Sequence, residues 1–217
     1  LLITLLLIFF QPDMSTTFTV TMILLLLIFV AGIRMEYIFS FLFCSAFIVV
    51  TKIVFTSFQR IRFLNWWSGD GDIQSGASIL ALSKGGFLGS GLVESEFSKG
   101  LLPAVHTDFI LPIIGEEFGF LGILSIFILF YFFMFHSIRI LQNVSDSFGF
   151  FLGLGIIMNV LIYFLVNCLY VVGILPTTGL PLPFISYGGS HLVLTLGSMG
   201  VLFNIAKQNS NKRFSLT

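Results

Sequence analysis

Residues 109–135 read FILPIIGEEFGFLGILSIFILFYFFMF, an apolar stretch whose acidic side chains are the adjacent Glu116 and Glu117. A transmembrane helix needs about 20 predominantly apolar residues to cross a hydrocarbon core of about 30 Å. This stretch is long enough, and it lacks the charged face that a surface helix of a soluble protein carries. It therefore predicts a membrane-spanning helix.

The composition of the whole chain agrees with this prediction. Of its 217 residues, 57% are hydrophobic and 9% are charged, whereas soluble domains have about 25% charged residues. Ten Lys and Arg balance ten Asp and Glu without a basic run, which excludes the clustered positive charge of a nucleic-acid-binding surface. Cys44 and Cys168 lie in apolar runs and indicate neither a disulfide framework nor a metal site.

Further apolar stretches have the composition of membrane spans. They cover residues 15–33, 37–55, 148–172 and, at the short end of the range, 190–206. Residues 1–10 are apolar but too short to cross, and we interpret them as the end of a truncated helix. The sequence thus predicts an all-α polytopic membrane protein with about five complete transmembrane helices plus a truncated first one.

The basic residues of the short connections predict the orientation, because Lys and Arg are retained on the cytoplasmic side. They fall on one side of the predicted topology: Arg34, Arg139, Lys207, Lys212 and Arg213. The C-terminus is therefore predicted to be cytoplasmic, and the connections 56–107 and 173–189 are predicted to share the outer face. The long connection carries basic residues against this rule, which weakens for long loops.

The large outer loop, residues 56–107, has structure of its own in this prediction. Residues 55–67 mix Phe and Trp with Arg60 and Arg62, which favours an interfacial amphipathic helix. Residues 74–92 suit a short helix that breaks into a glycine-rich turn. A long loop with such content is more typical of a binding element than of a simple connection.

Asp108 immediately precedes the apolar stretch, so a carboxylate is predicted at the outer mouth of a transmembrane helix. Asp is a favoured N-cap, and the helix dipole stabilises an anion there. A carboxylate at this place is equally suited to act as a general base or a cation ligand. Both interpretations remain open at this point.

Glu116 and Glu117 follow eight and nine residues later, about 12 Å further along a helix. Carboxylates in a bilayer are costly and normally face a bundle interior, a wet cavity or a partner. Adjacent helical residues point about 100° apart, so we expect one to face a cavity and the other to pack against a neighbouring helix. A substrate contact and a buried structural hydrogen bond are both open.

The connection 173–189 contains three prolines and several glycines and hydroxyls between two predicted spans. Non-helical backbone at membrane depth persists only where it is buried in protein or lines a cavity, so we predict a cavity-lining loop. Ser186 and Ser190 are expected to bind a polar substrate or to satisfy the loop backbone. Asn167, inside the preceding span, is expected to bond a neighbouring helix or a ligand.

Four stretches, taken in order, resemble the SEDS family of membrane proteins, the FtsW/RodA/SpoVE type. They are Gln11-Pro12-Asp13, Gly85-Gly86-Phe87-Leu88-Gly89-Ser90-Gly91-Leu92, His106-Thr107-Asp108-Phe109-Ile110 leading to Gly115-Glu116-Glu117-Phe118-Gly119, and Leu175-Pro176-Thr177-Thr178-Gly179 through Pro183-Phe184-Ile185-Ser186-Tyr187-Gly188-Gly189-Ser190. Members have ten transmembrane helices and a large outer loop between the seventh and eighth. The resemblance implies that residues 1–217 are a single membrane-domain fragment, from the end of the fifth helix through the tenth.

The resemblance implies a peptidoglycan glycosyltransferase that polymerises lipid II during cell division or elongation, with the family's essential acidic residue at Asp108. The residues expected to bind substrate are Arg60, Arg62, Lys84, Lys99, His106, Glu116, Glu117, Asn167, Ser186, Gly188, Gly189 and Ser190. The basic ones are expected to neutralise the pyrophosphate leaving group. The sequence indicates no cofactor outright, and a divalent cation that shares this task is an open alternative.

The resemblance also implies partners and a location. Lipid II, undecaprenyl-linked glycan, a class B penicillin-binding protein and other division or elongation proteins are the expected partners, in the bacterial cytoplasmic (inner) membrane, with the division septum as one site. Pro176-Thr177 favours an FtsW-like member, while residues 179–183 are closer to RodA; of the two, the FtsW-like type is favoured. A lipid II flippase with Glu116 and Glu117 in a relay, and a non-catalytic division scaffold, are the alternatives.

The chain departs from the family pattern at a few positions. Met14-Ser15 replaces a residue pair that includes glycine, Ala104 stands where an acidic residue is frequent, and Val171 stands where a second Asn is common. These changes leave Asp108 intact and bear on the geometry of the loops. The fragment alone is expected to be inactive.

Overall fold

The computed structural model describes residues 14–68, 73–91 and 107–214, and within these ranges the regular structure is entirely helical. The helices are α1 (Met14–Val30), α2 (Met35–Phe55), α3 (Ser57–Trp67), α4 (Ile73–Gly85), α5 (Ile110–Gln142), α6 (Ser147–Val171) and α7 (Gly189–Phe214). The predicted all-α class and the two short helices of the large loop are confirmed. The truncated helix predicted at residues 1–10 lies outside the described residues.

Four of the described helices are long and apolar enough to cross a membrane: α2, α5, α6 and the Gly189–Asn209 part of α7. The span predicted at 15–33 is shorter, because α1 ends at Val30. Gly32 has a φ of 75°, and the Ile33 amide donates to the Ile28 carbonyl at 3.4 Å, which closes the helix in a left-handed turn. Its 17 residues extend about 25 Å.

Helix α6 is the centre of the bundle. It packs against α1, α5 and α7, and Ile157 and Val171 on it are fully buried. By contrast, α2 contacts α1 and α3 and exposes large apolar side chains such as Phe43 and Phe47. An apolar surface of this kind is suited to lipid or to further helices. The protein is a multi-pass membrane protein organised around α6.

Contacts between distant segments define two ends of the bundle. At one end, which we call the Asp108 end, Trp66 Nε1 donates to the Gly173 carbonyl at 3.0 Å, and Ser15 Oγ donates to the Thr178 carbonyl. At the opposite end, the tail end, Asn209 Nδ2 donates to the Asn143 carbonyl. Helix α3 and the connection before α7 therefore lie together at the Asp108 end.

Helix α5 is sharply bent at Gly119, a bend that the apolar pattern of the sequence does not predict. Gly119 has a φ of 64° and a ψ of −158°. A Cβ on Gly122 would lie 3.2 Å from the Ile114 carbonyl oxygen, although residues eight apart in a straight helix are about 12 Å apart along its axis. The segment 110–118 therefore folds back against the rest of α5.

The turn after α4, residues 86–91, supplies the hydrogen bonds that the bend removes from α5. The Phe120 amide donates to the Gly86 carbonyl at 3.0 Å. In the other direction, Ser90 donates to the Glu116 carbonyl through its amide at 2.8 Å and through Oγ at 2.9 Å. Because buried backbone groups need hydrogen-bond partners, the bend depends on this turn.

Helix α4 runs parallel to segment 110–118 at very short distance. Ala81 and Ile113 are buried against each other, with Ala77 and Ile110 packed beside them. A Cβ on Gly85 would lie 1.9 Å from the Gly115 carbonyl oxygen, far inside van der Waals contact. Glycine at position 85 thus permits the close approach of the two backbones.

Candidate functional site

Asp108 is half-buried and lies directly before α5. The N-cap position of α5 is Phe109, whose side chain makes no capping hydrogen bond. The interpretation of Asp108 as the helix cap is therefore wrong, because the helix begins one residue too late for its carboxylate to reach the free amides. The carboxylate instead accepts a hydrogen bond from the Thr107 side chain.

Burial raises the pKa of the Asp108 carboxyl above its ordinary value, and the hydrogen bond from Thr107 opposes this only in part. Desolvation disfavours the charged form of a carboxyl group, while a donor favours it. A carboxylate with a raised pKa is a stronger base than a fully solvated Asp. The local environment thus suits proton acceptance.

Two fully buried residues of α6 hold the backbone around Asp108. Asn167 Nδ2 donates to the carbonyls of Asp108 at 3.0 Å and Leu180 at 2.8 Å. The Tyr170 hydroxyl lies 2.5 Å from the same Asp108 carbonyl and 3.1 Å from that of Leu180. One turn of α6 therefore joins the segment before α5 to the connection before α7.

Gly179 brings the backbone of this connection next to the Asp108 carboxylate. It has a φ of 71°, and a Cβ placed on it would lie 3.3 Å from Asp108 Oδ2. The left-handed conformation favours glycine, and a side chain here would crowd the carboxylate. The glycine therefore leaves room beside Asp108.

Part of the connection between α6 and α7 is buried in the protein, while Ile174 and Tyr187 are exposed. Its predicted role as a cavity-lining loop stays a prediction. Leu180 and Leu182 are buried, and Ser186 Oγ accepts a hydrogen bond from the Leu182 amide at 2.7 Å. The Phe184 ring packs edge-on to Phe133 at 5.6 Å. Ser186 thus satisfies the loop backbone, which was one of the two roles predicted for it.

A family model described as a cell cycle protein, FtsW/RodA/SpoVE, matches residues 1–211. The chain belongs to the FtsW/RodA/SpoVE family. It is similar to the probable peptidoglycan glycosyltransferase FtsW of Geobacter sp. (strain M18), with 40% identity over 90% of this chain and 55% of that protein. It is also similar to the stage V sporulation protein E of Bacillus subtilis (strain 168), with 37% identity over 91% of this chain and 55% of that protein.

A solved structure described as "Structural coordination of polymerization and crosslinking by a peptidoglycan synthase complex" has a similar fold. It matches with a TM-score of 0.71 and 25% identity over 92% of this chain and 57% of that one. The chain thus spans about half the length of the curated relatives that it matches. The fold described above is the fold of this part of the FtsW/RodA/SpoVE family.

The structure brings together some of the predicted site residues of this family member. Asp108 and Asn167 belong to one cluster, and Ser186 lies in the loop that reaches it. Gly188 accepts a hydrogen bond from the Leu192 amide at 2.9 Å, so it contributes to the first turn of α7. Gly189 and Ser190 begin that helix and are exposed.

Glu116 and Glu117 lie away from the Asp108 cluster in the sequence, just before the bend of α5 at Gly119. Glu116 is 2% exposed, and a Cβ on Gly85 of α4 would lie 3.0 Å from its Cα. Glu117 is only partly buried. The two adjacent carboxylates thus differ in exposure as predicted, with Glu116 the one packed in the protein.

The described members of the predicted basic set lie on the two short helices α3 and α4. Arg60 and Arg62 are on α3, which is anchored through Trp66, and Lys84 is exposed at the end of α4, beside the bend. Lys99 and His106 lie outside the described residues. Among the described residues, no group of three or more His, Cys, Asp or Glu side chains is placed to hold a metal ion.

Tyr170 is a residue of the Asp108 cluster that was not predicted from the sequence. In the sequence it is an aromatic residue near the end of an apolar span, where Tyr is common at the membrane interface. Its spacing of three from Asn167 places both on one face of α6, which is the signal that was available. The sequence does not indicate which backbone carbonyls this pair binds, because every residue has one.

Proposed function

We propose that the full-length protein containing this chain is a peptidoglycan glycosyltransferase that polymerises lipid II. The observation that carries this proposal is the half-buried Asp108 carboxylate, held beside the Gly179 backbone in a chain of the FtsW/RodA/SpoVE family. Relatives that carry the name peptidoglycan glycosyltransferase support it. The substrate lipid II and the reaction come from the family resemblance.

In the proposed reaction, Asp108 acts as a general base. It accepts the proton of the GlcNAc 4-hydroxyl as that oxygen bonds to the MurNAc anomeric carbon of the growing chain. The bond from that carbon to the pyrophosphate breaks, and undecaprenyl pyrophosphate leaves with the electron pair. A positioned base typically contributes about 10² to 10⁴ in rate, and a carboxylate with a raised pKa is suited to this task.

Arg60, Arg62 and Lys84 are the described candidates for binding the pyrophosphate, together with Lys99 from outside the described residues. A divalent cation would fit as well, because Mg²⁺ is commonly held by one or two carboxylates plus substrate phosphates and water. Asp108 would supply one such oxygen ligand. When bound, the cation would neutralise charge on the pyrophosphate.

We also propose the location and the partner. The protein lies in the bacterial cytoplasmic (inner) membrane with its C-terminus in the cytoplasm, as the Lys and Arg of the tail end indicate. The Asp108 end then faces outward, where lipid II is polymerised. A class B penicillin-binding protein is the proposed partner, supported by the similarity to a chain of a peptidoglycan synthase complex.

The proposed activity is tested with the full-length protein purified into vesicles that contain fluorescent lipid II. Formation of glycan strands supports the glycosyltransferase. Movement of lipid II across the bilayer without strand formation would establish a flippase and overturn the proposal. Neither activity, in a folded protein supplied with its penicillin-binding partner, would leave a scaffold and would overturn it equally.

The rate of polymerisation is expected to fall at acidic pH, with a midpoint above the ordinary Asp value of 3.8. Only the ionised carboxylate accepts a proton, and burial raises the pKa of Asp108, so protonation removes the base at a higher pH. The initial rate of strand formation, measured from pH 4 to 8, checks this. If the residual activity of Asp108→Asn falls at acidic pH with the same midpoint, the fall is caused by another group.

Stability measured over the same pH range separates this effect from acid unfolding. Since the folded-state pKa of Asp108 lies above its unfolded value, the folded protein binds more protons between the two values. Protonation of Asp108 therefore favours folding as the pH falls. The thermal midpoint is expected to stay constant over the pH range in which the polymerisation rate declines. A parallel decline of the midpoint and the rate would contradict the prediction.

A further inference from the structure

Asn167 and Tyr170 form a buried polar pair whose bonds are made to backbone rather than to other helices. Both residues are 0% exposed, and Asn167 Nδ2 also lies 2.7 Å from the Tyr170 hydroxyl. Buried polar groups are costly unless they are hydrogen-bonded. Asn167 Nδ2 and the Tyr170 hydroxyl have such partners, whereas Asn167 Oδ1 is buried and has no hydrogen-bond partner among the described residues. The pair therefore fixes the two carbonyls that it binds relative to each other.

Those two carbonyls belong to two different segments, one before α5 and one after α6 in the sequence, which meet at one face of α6. One is the carbonyl of Asp108 itself, and the other is that of Leu180, the neighbour of Gly179. The gap between the Gly179 backbone and Asp108 Oδ2 is thus set by the atoms that hold both backbones. A change at the pair would alter the space beside the carboxylate without touching the carboxylate.

Tyr170 holds Asp108 in two independent ways. Its hydroxyl bonds the Asp108 carbonyl, and its ring packs edge-on against Phe109, the next residue, at 5.4 Å between centroids. Phe109 is itself buried. Removal of the hydroxyl alone leaves the aromatic contact in place, so the two contributions are separable by a single substitution.

We propose that Tyr170 is a positioning residue that orients the Asp108 carboxylate toward the substrate through the hydrogen bond between its hydroxyl and the Asp108 carbonyl. This proposal rests on the proposed function of Asp108 as general base. Tyr170 is fully buried. Its effect reaches the reaction through the backbone of Asp108 and through the segment that contains Leu180.

The test is Tyr170→Phe in the full-length protein, assayed for strand synthesis from purified lipid II. We expect kcat to fall by about 10-fold to 100-fold, since small misplacements of a catalytic group have effects of this size, while KM for lipid II changes little. Tyr131→Phe is the matched control, because Tyr131 is 64% exposed on α5 and stacks on Phe135. It is expected to keep the wild-type kcat.

Hydrogen exchange distinguishes positioning from general destabilisation. In Tyr170→Phe, amides of residues 107–111 and 177–182 are expected to exchange faster, while those of residues 122–135 and the thermal midpoint stay near wild type. A wild-type kcat would overturn the proposal. A loss of kcat with a matching loss of protection throughout the bundle would overturn it as well, because that result describes a structural residue.

Asp108→Asn, assayed in parallel, separates failure of this proposal from failure of the proposed function. An inactive Asp108→Asn with a fully active Tyr170→Phe rejects the positioning role alone. A fully active Asp108→Asn rejects the general base, and the positioning role is rejected with it.

If Tyr170→Phe folds poorly, Asn167→Ser is the second variant. It removes the donor that holds the Leu180 carbonyl and is expected to lower kcat with the same local pattern of hydrogen exchange.

Discussion

Replacing Asp108 with Asn is expected to reduce strand synthesis by at least about 100-fold, the lower end of what a positioned general base contributes. An amide has the shape of the carboxyl group but does not accept the proton of the attacking hydroxyl. The backbone carbonyl of residue 108 still accepts the bonds from Asn167 and Tyr170. The variant should therefore fold normally, with a thermal midpoint close to that of the wild type.

The measurement is the initial rate of glycan-strand formation from lipid II by the purified full-length protein. Asp146→Asn is the matched control, because Asp146 caps α6 at the tail end through a 2.8 Å bond from the Gly149 amide. Asn caps helices about as well as Asp, so this variant is expected to keep its activity. Wild-type synthesis by a folded Asp108→Asn protein would remove Asp108 from the reaction.

Much of the fold follows directly from the order of apolar and polar residues. The spans at 37–55 and 148–172 correspond to α2 and α6 within two residues at each end, because a helix must keep its apolar length within the bilayer. Helices α3 and α4 were likewise expected inside the large loop. These helices depend on local composition, which can be read directly from the sequence.

The bend of α5 was not predictable from local composition. Gly119 ends the sequence Gly115-Glu116-Glu117-Phe118-Gly119 within an otherwise apolar span, and an isolated glycine is tolerated in a helix. The bend exists because residues 86–91 provide partners for the freed backbone groups. Those partners come from a distant part of the chain, and they are backbone atoms, which every residue carries.

The candidate site divides in the same way. Asp108 is recognisable because it lies in the His106-Thr107-Asp108-Phe109 stretch that resembles the family, and Asn167 because a polar amide inside a span needs a partner. The role of Tyr170 depends on which carbonyls come within reach of its hydroxyl. That depends on the folded path of residues 173–188, which three prolines and a left-handed Phe184 make irregular.

Replacing Gly119 with Ala is expected to destabilise the protein by about 3 kcal/mol or more, the sum of the penalty for backbone angles that essentially only glycine adopts and of overpacking. The residue has a φ of 64°, and an added Cβ would lie 2.4 Å from the Gly89 amide nitrogen and 2.7 Å from the Phe87 carbonyl oxygen. Both neighbours are backbone atoms that cannot rotate away. A thermal midpoint several degrees lower, measured in detergent, checks this expectation.

Gly89→Ala tests the same contact from the other side, since its Cβ would lie 2.1 Å from the Glu117 carbonyl oxygen. Because both substitutions break one junction, the double variant should lose less stability than the sum of the two single losses. Gly76→Ala on α4 is the control, because nothing lies within 4 Å of its added Cβ and Ala favours a helix by up to about 1 kcal/mol. Equal midpoints for Gly119→Ala and Gly76→Ala would mean that the turn and α5 are not packed as described. Additive losses in the double variant would mean that the two glycines act separately rather than at one junction.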